Sequence, residues 1–269
     1  MSAAPLAAGR PWPWWAAPAA VLLALALTLL GSALLATILA AAGVRGVLQG
    51  DNGAVNVVLT ALQDVAFVAG PLVLAGVLAQ SARPRLAPFG IVRTAPVRAL
   101  VWAGIAVAVY GAFAVLFARV AGGKEQKDLF EQLNVQRGSA AVLPVAFVVC
   151  VLAPLAEEFL FRGFCYPALR SALRPAGAAL TVGLIFGLVH FTSTPPILLV
   201  QLGVLGVLLS VVREATGSLL PCVGLHAANN AISFGALVGW GAGTLGLLAG
   251  SLGACALVLA PLTAARADH

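Results

Sequence analysis

The chain of 269 residues contains eight long apolar runs, which are separated by short polar segments. A helix of about 20 apolar residues crosses the ~30 Å hydrocarbon core of a bilayer, and it pairs its backbone polar groups within itself, as lipid requires. The runs cover residues 14–42, 54–79, 100–120, 140–161, 175–191, 197–212, 218–240 and 244–264. We therefore predict an all-α polytopic membrane protein, a single membrane domain over residues 1–269 with about eight transmembrane helices. Seven is the alternative count.

The composition agrees with this class. Hydrophobic residues make up 61% of the chain and charged residues 9%, whereas a soluble domain carries roughly 25% charged residues. The net charge of +6 comes mainly from arginines in particular loops, which favours an orientation signal over a nucleic-acid footprint. These arginines include Arg10, Arg83, Arg85, Arg93, Arg98, Arg162, Arg170, Arg174, Arg213 and Arg266. They place both termini in the cytoplasm of a multi-pass cell-membrane protein.

Charged side chains stand at the end of the fourth run, where they are expensive. Glu157, Glu158 and Arg162 lie within six residues, and each charge costs on the order of 2.5–3.5 kcal/mol at the centre of a membrane helix. Glu158 and Arg162 are four residues apart and can pair on one helix face. Glu157 is rotated by about 100° from Glu158, so we interpret it as the working carboxylate. The alternative is a charge cluster that only marks the end of a span.

A few further polar residues lie in the later apolar runs. His190 ends the fifth run, and His226 and Asn230 lie one helical turn apart in the seventh. Each is costly against lipid, so gathering them with Glu157 around one wet cavity lowers the cost for all. A carboxylate base, imidazoles and an amide donor are the parts that activate water and stabilise an oxyanion. The alternative is that the histidines are hydrogen-bonded packing residues. Asp64, Gln63 and Gln201 are other candidates to which we assign no role.

The ordered set of motifs resembles a known family. Glu157-Glu158-x-x-x-Arg162, Phe186-x-x-x-His190 and His226-x-x-x-Asn230 are similar to the three motifs of the CPBP (Abi/CAAX) intramembrane proteases. That family includes the type II CAAX prenyl endopeptidases and bacterial proteins linked to bacteriocin processing and self-immunity. The resemblance covers roughly residues 140–240, which we predict to be the catalytic helix core.

The resemblance implies an eight-helix bundle that cleaves peptide bonds in or near the membrane. Carried over to this chain, Glu157 and His190 activate the water, and His226 and Asn230 stabilise the oxyanion. Glu158, Arg162 and Phe186 support them. We expect no cofactor, with zinc on Glu157, His190 and His226 as the alternative. The expected partners are the lipid bilayer and a membrane-embedded or lipidated peptide or protein, and no nucleic acid.

Two other classes of function compete with the protease. One is a non-catalytic immunity or scaffold protein of the same fold, which binds a peptide without cutting it. The other is a small proton-coupled carrier that uses Glu157 and the histidines as a relay. The sequence shows neither an inverted repeat nor paired broken helices, which disfavours the carrier.

Overall fold

The computed structural model describes residues 12–80, 87–121, 131, 133–135, 141–192 and 194–264. Within these residues the chain forms eight long or medium helices and no strand. The helices are α1 (Ala16–Ala41), α2 (Gly53–Ala79), α3 (Pro96–Ala121), α4 (Val142–Leu169), α5 (Pro175–Leu188), α6 (Pro196–Thr216), α7 (Leu220–Val238) and α8 (Gly243–Ala264). The predicted all-α membrane bundle is confirmed.

Six of these helices are long and apolar enough to cross a membrane: α1, α2, α3, α4, α6 and α8. Helix α5 has 14 residues, about 21 Å at 1.5 Å per residue, so it is shorter than a full span. Helix α7 has 19 residues, and His226, Asn229 and Asn230 lower its hydropathy. The two helices that fall short of ordinary spans are those that bring the histidines into the bundle.

Helix α4 is longer than the fourth apolar run, because it continues beyond residue 161 through the charged motif to Leu169. It contains two π-helical segments, Val148–Leu152 and Phe159–Cys165. Each segment ends two residues before a proline, Pro154 or Pro167, and proline lacks the N–H and clashes with the carbonyl four residues earlier. π-Segments occur frequently at functional sites. The short α-helical segment between them, Ala153–Glu158, carries both glutamates.

Helix α4 occupies the centre of the bundle. Helices α1, α2, α5, α6, α7 and α8 all pack against it, while α3 packs mainly on α6. The main hydrophobic core accordingly contains Phe159, Leu160, Phe161 and Phe164 of α4, all at most 7% exposed. The charged motif therefore lies inside protein rather than against lipid.

Helices α5 and α6 make the closest helix pair. A Cβ atom on Gly206 would lie 2.8 Å from Gly183 Cα, and one on Gly187 would lie 2.7 Å from the Leu199 carbonyl oxygen. Small residues allow this approach. Near the C-terminal end of the bundle, Gly235 packs against Thr244, whereas a Cβ atom on Gly246 or Gly250 would meet no atom within 4 Å.

The N-terminal tryptophans do not all lie in an interfacial belt, which corrects the usual interpretation of such a cluster. Trp14 and Trp15 are 56% and 46% exposed, as a belt requires. Trp12 is 5% exposed and packs between Phe89 and Phe164, with ring centroids 4.8 Å and 4.3 Å away. Trp12 therefore holds the start of α1 against the C-terminal half of α4.

Some predictions fall on residues outside the described part of the chain. Arg10, Arg83, Arg85 and Arg266 are among them, as is most of the mixed-charge stretch 121–138, for which we expect a short surface helix or an ordered loop. Within that stretch, Leu133 and Val135 are buried. Asn56 of α2 donates a hydrogen bond to the Leu133 carbonyl at 3.1 Å.

Candidate active site

Glu157 lies between the two histidines. Its Oε1 is 4.0 Å from His190 Nε2, and its Oε2 is 3.9 Å from His226 Nε2. The three side chains come from α4, from the turn after α5 and from α7, and Glu157 is only 7% exposed. The distances exceed a direct hydrogen bond and are of the kind that a water molecule bridges. We call these three residues the glutamate–histidine site.

Glu158 faces a different set of partners. Its Oε1 accepts hydrogen bonds from Arg162 Nη1 at 2.7 Å and from His226 Nδ1 at 2.8 Å. All three side chains are at most 5% exposed. The four-residue spacing accounts for the Arg162 contact. The contact with His226 spans 68 residues of sequence, and sequence reasoning missed it because no local pattern reports which helices become neighbours.

The hydrogen bonds fix which nitrogen of each imidazole faces Glu157. His190 Nδ1 lies 2.8 Å from the Phe186 carbonyl oxygen, which can only accept, so Nδ1 carries the proton. His226 Nδ1 likewise faces an acceptor, the Glu158 carboxylate. Both Nε2 atoms therefore point to Glu157. Each accepts a hydrogen bond when its ring is neutral and donates one when its ring is protonated.

A second arginine completes the surroundings of Glu158. Arg162 Nη2 donates to the Gly206 carbonyl of α6 at 2.8 Å, and Arg213 Nε donates in return to the Arg162 carbonyl at 3.3 Å. We call Glu158, Arg162, Gly206 and Arg213 the arginine network. Arg213 had been counted among the loop arginines that set orientation, but it is 1% exposed. It belongs to the core, where it binds a carbonyl of the second π-segment.

Phe186 supports both histidines. It is 1% exposed, and its ring centroid lies 5.2 Å from that of His190 and 5.7 Å from that of His226, the latter at an edge-on 74°. The guanidinium carbon of Arg162 lies 4.6 Å from the same ring, within the range of a cation–π contact. This one aromatic side chain therefore contacts the arginine and both imidazoles.

Asn230 lies one turn beyond His226 on α7, and its contacts are to α4 and to its neighbour. Its Nδ2 donates to the Val149 carbonyl at 2.9 Å, and its Oδ1 accepts from Asn229 at 3.3 Å. Val149 is eight residues before Glu157, about 12 Å along a helix axis. The measured contacts thus bring Glu157, His190, His226, Glu158, Arg162 and Phe186 together, whereas Asn230 binds the helix backbone further along.

One cavity lies away from Glu157. It has a volume of about 290 Å³ between α7 and α8 and is lined by Arg93, Val223, Leu252, Cys255 and Leu259, among others. The glutamate–histidine site is identified by its side-chain geometry.

Two imidazoles and a carboxylate can together bind zinc, at ligand distances of about 2.0–2.2 Å. Within the described residues, no group of three His, Cys, Asp or Glu side chains is arranged to hold a metal ion. Zinc on Glu157, His190 and His226 stays the alternative to a metal-free site.

These features define a multi-pass, all-helical membrane protein with a carboxylate–imidazole site buried in its bundle. Residues 139–232 match the family model described as Type II CAAX prenyl endopeptidase Rce1-like. The matched segment includes all three motifs, begins just before α4 and ends within α7. No curated protein and no solved structure matches this chain. The family match supports a membrane protease at a coarse level.

Proposed function

We propose that this protein is an intramembrane endopeptidase that hydrolyses peptide bonds in or beside the bilayer with a water activated by Glu157. The observation that carries the proposal is the position of Glu157, whose two oxygens lie 4.0 Å and 3.9 Å from the Nε2 atoms of His190 and His226. A water fits between groups at these separations. A general base must lie within hydrogen-bond reach of the proton it removes, directly or through one water.

In the proposed reaction, Glu157 acts first as the general base and then as the general acid. Glu157 takes a proton from a water that His190 Nε2 also holds, and the water oxygen attacks the carbonyl carbon of the peptide. When the tetrahedral intermediate collapses, the C–N bond breaks and protonated Glu157 returns the proton to the leaving amine. The products are a carboxylic acid, which ionises by releasing its proton to solvent, and an amine, and Glu157 is again a base.

The oxyanion is assigned to His226 and Asn230. His226 donates from Nε2 only as an imidazolium, because its Nδ1 proton is already bound by Glu158. The buried Glu158 carboxylate stabilises that positive charge, as carboxylates do for other catalytic histidines. Asn230 contributes its remaining amide N–H, since its other donor binds Val149.

The substrate we propose is a membrane-embedded or lipidated peptide or protein. The name of the matched family points to a prenylated C-terminus as the first candidate. We place the protein in the cell membrane with both termini in the cytoplasm. This orientation is supported by Arg93, Arg98, Arg170 and Arg174, which lie in or beside the loops of one side.

The test compares the membrane proteomes of cells that carry the wild-type protein or Glu157→Gln. We expect cleavage products that depend on the wild-type protein and fall by about 10²–10⁴-fold in the variant, the range for loss of an acid–base group. Glu131→Gln removes an exposed carboxylate and serves as the matched control. Full cleavage by a folded Glu157→Gln protein would end the proposal. A biological phenotype that persists without cleavage would favour the non-catalytic scaffold.

A further inference from the structure

Asp64 is a buried carboxyl group that the proposed mechanism does not use. It lies in the middle of α2, is 4% exposed, and its Oδ2 accepts no hydrogen bond from the described residues. Burying a carboxyl oxygen without a partner is costly. An ionisable residue inside a membrane span is by default a candidate for function, because apolar residues would be cheaper there.

The packing of α2 on α4 places Asp64 at the level of Glu157. Phe67 of α2 meets Phe161 of α4 edge-on, with ring centroids 6.4 Å apart. Asp64 precedes Phe67 by three residues and Glu157 precedes Phe161 by four, so each carboxyl lies about one turn before its phenylalanine. Helices α2 and α4 run parallel, because Val57 near the start of α2 packs with Val142 and Val145 at the start of α4. The segment of α4 that carries Glu157, Ala153–Glu158, packs directly on α2.

No described cation takes Asp64 as its ion-pair partner. Arg162, the cation on the adjoining part of α4, is engaged by Glu158 and by the Gly206 carbonyl. Glu157 also has a carboxylate oxygen without a donor, because its Oε2 is buried and accepts no hydrogen bond from the described residues. Each of the two packed helices thus carries a buried acceptor oxygen without a donor among the described residues, and the two carboxyl groups lie at the same level of the α2–α4 contact. A water supplies two O–H donors, and buried waters typically satisfy such groups.

We propose that bound water links Asp64 to Glu157 and that Asp64 is a positioning residue, which holds the Glu157 carboxylate in the plane where Oε1 faces the attacking water at His190. This inference rests on the proposed function. Asp64 undergoes no covalent change in this role. It acts on the turnover step and not on the binding of the peptide.

The experiment measures stability, and turnover of a synthetic peptide that spans a cleavage site found by the proteome comparison, in one set of proteins: wild type, Asp64→Leu, Glu157→Gln and the double variant. Asp51→Asn removes an exposed carboxylate before α2 and is the control. We expect Asp64→Leu to lower kcat by about 10–100-fold, the loss typical of an orienting partner, with KM changed less than about twofold. Asp64→Asn keeps an acceptor oxygen and should lose less. Thermal unfolding in detergent should show non-additive Tm shifts for Asp64→Leu and Glu157→Gln, because both act on one water.

The outcomes separate the two proposals. Wild-type kcat in Asp64→Leu, with Glu157→Gln inactive, overturns the role of Asp64 and leaves the proposed function intact. Activity in Glu157→Gln overturns the proposed function and this inference with it. If Asp64→Leu fails to fold, Asp64→Asn decides, and wild-type kcat in that variant overturns the inference. Strictly additive Tm shifts also overturn it, because independent sites add.

Discussion

The arginine network and the glutamate–histidine site lie side by side on α4, yet their polar groups are arranged differently. In the network, Glu158, Arg162 and Gly206 meet through direct hydrogen bonds of 2.7 Å and 2.8 Å. At the site, Glu157 stands 3.9–4.0 Å from both imidazoles. Direct contacts hold helices together, whereas separations of 3.9–4.0 Å are ones that a water can bridge. The difference supports the proposal that Glu158 is structural and that Glu157 takes part in the chemistry.

The largest expected effect tests whether Arg162 is needed for stability, as the contrast between the two regions requires. Arg162→Met leaves the Glu158 carboxylate buried without its arginine, and removing one partner of a buried ion pair costs about 3–5 kcal/mol. We expect the free energy of unfolding in detergent to fall by that amount. Glu157→Gln should leave it nearly unchanged. Arg98→Met, at an exposed position, should stay within about 0.5 kcal/mol of wild type, and equal losses in all three proteins would contradict the distinction.

Asn230 sharpens the boundary between the two regions, because its measured contact is structural and its proposed role is chemical. If it stabilises the oxyanion, Asn230→Ala lowers kcat by about 10²–10³-fold, as the loss of one oxyanion donor does. If it only binds Val149, the same change weakens packing and spares kcat. Single-turnover cleavage together with thermal unfolding distinguishes the two results. Asn229→Ala, on the adjacent residue, is the control and should have the smaller kinetic effect.

Gly206→Ala adds one methyl group and tests the close packing of α5 on α6 beside the arginine network. A Cβ atom on Gly206 would lie 2.8 Å from Gly183 Cα and 3.3 Å from Arg162 Nη2. We expect Gly206→Ala to destabilise the protein by about 1–3 kcal/mol, the usual cost of overpacking. Gly246→Ala meets no atom within 4 Å and should be neutral or slightly stabilising, since helical glycine is about 0.5–1 kcal/mol worse than alanine. Equal melting temperatures for the two variants would argue against the close α5–α6 contact.

The smallest expected effect concerns metal. Because the proposed mechanism uses water and side chains, a chelator such as EDTA should leave the cleavage rate of the purified protein unchanged. Elemental analysis should find less than one zinc per chain. Loss of activity on chelation, restored by added zinc, would instead assign Glu157, His190 and His226 to a metal site.

The helices and part of the candidate site could be predicted from the sequence, because the signals for them are local. Apolar runs near 20 residues predict helices, since lipid leaves the backbone no other partner. The spacing of Glu158 and Arg162 predicts their pairing, because residues four apart share a helix face. The order of the three motifs pointed to the family that residues 139–232 match. Pro154 and Pro167 were also visible, and they were the available signal for the π-segments of α4.

Other features depended on contacts between distant helices. The hydrogen bond from His226 to Glu158, the burial of Arg213 and the position of Asp64 beside α4 leave no trace in local spacing. Each arises where α2, α6 or α7 packs on α4, and that packing is set by the shape of whole helix faces. The sequence by itself determined which residues are too polar for lipid. The tertiary structure alone decided which of them meet, because a buried charge must take its partner from whichever helix lies against it.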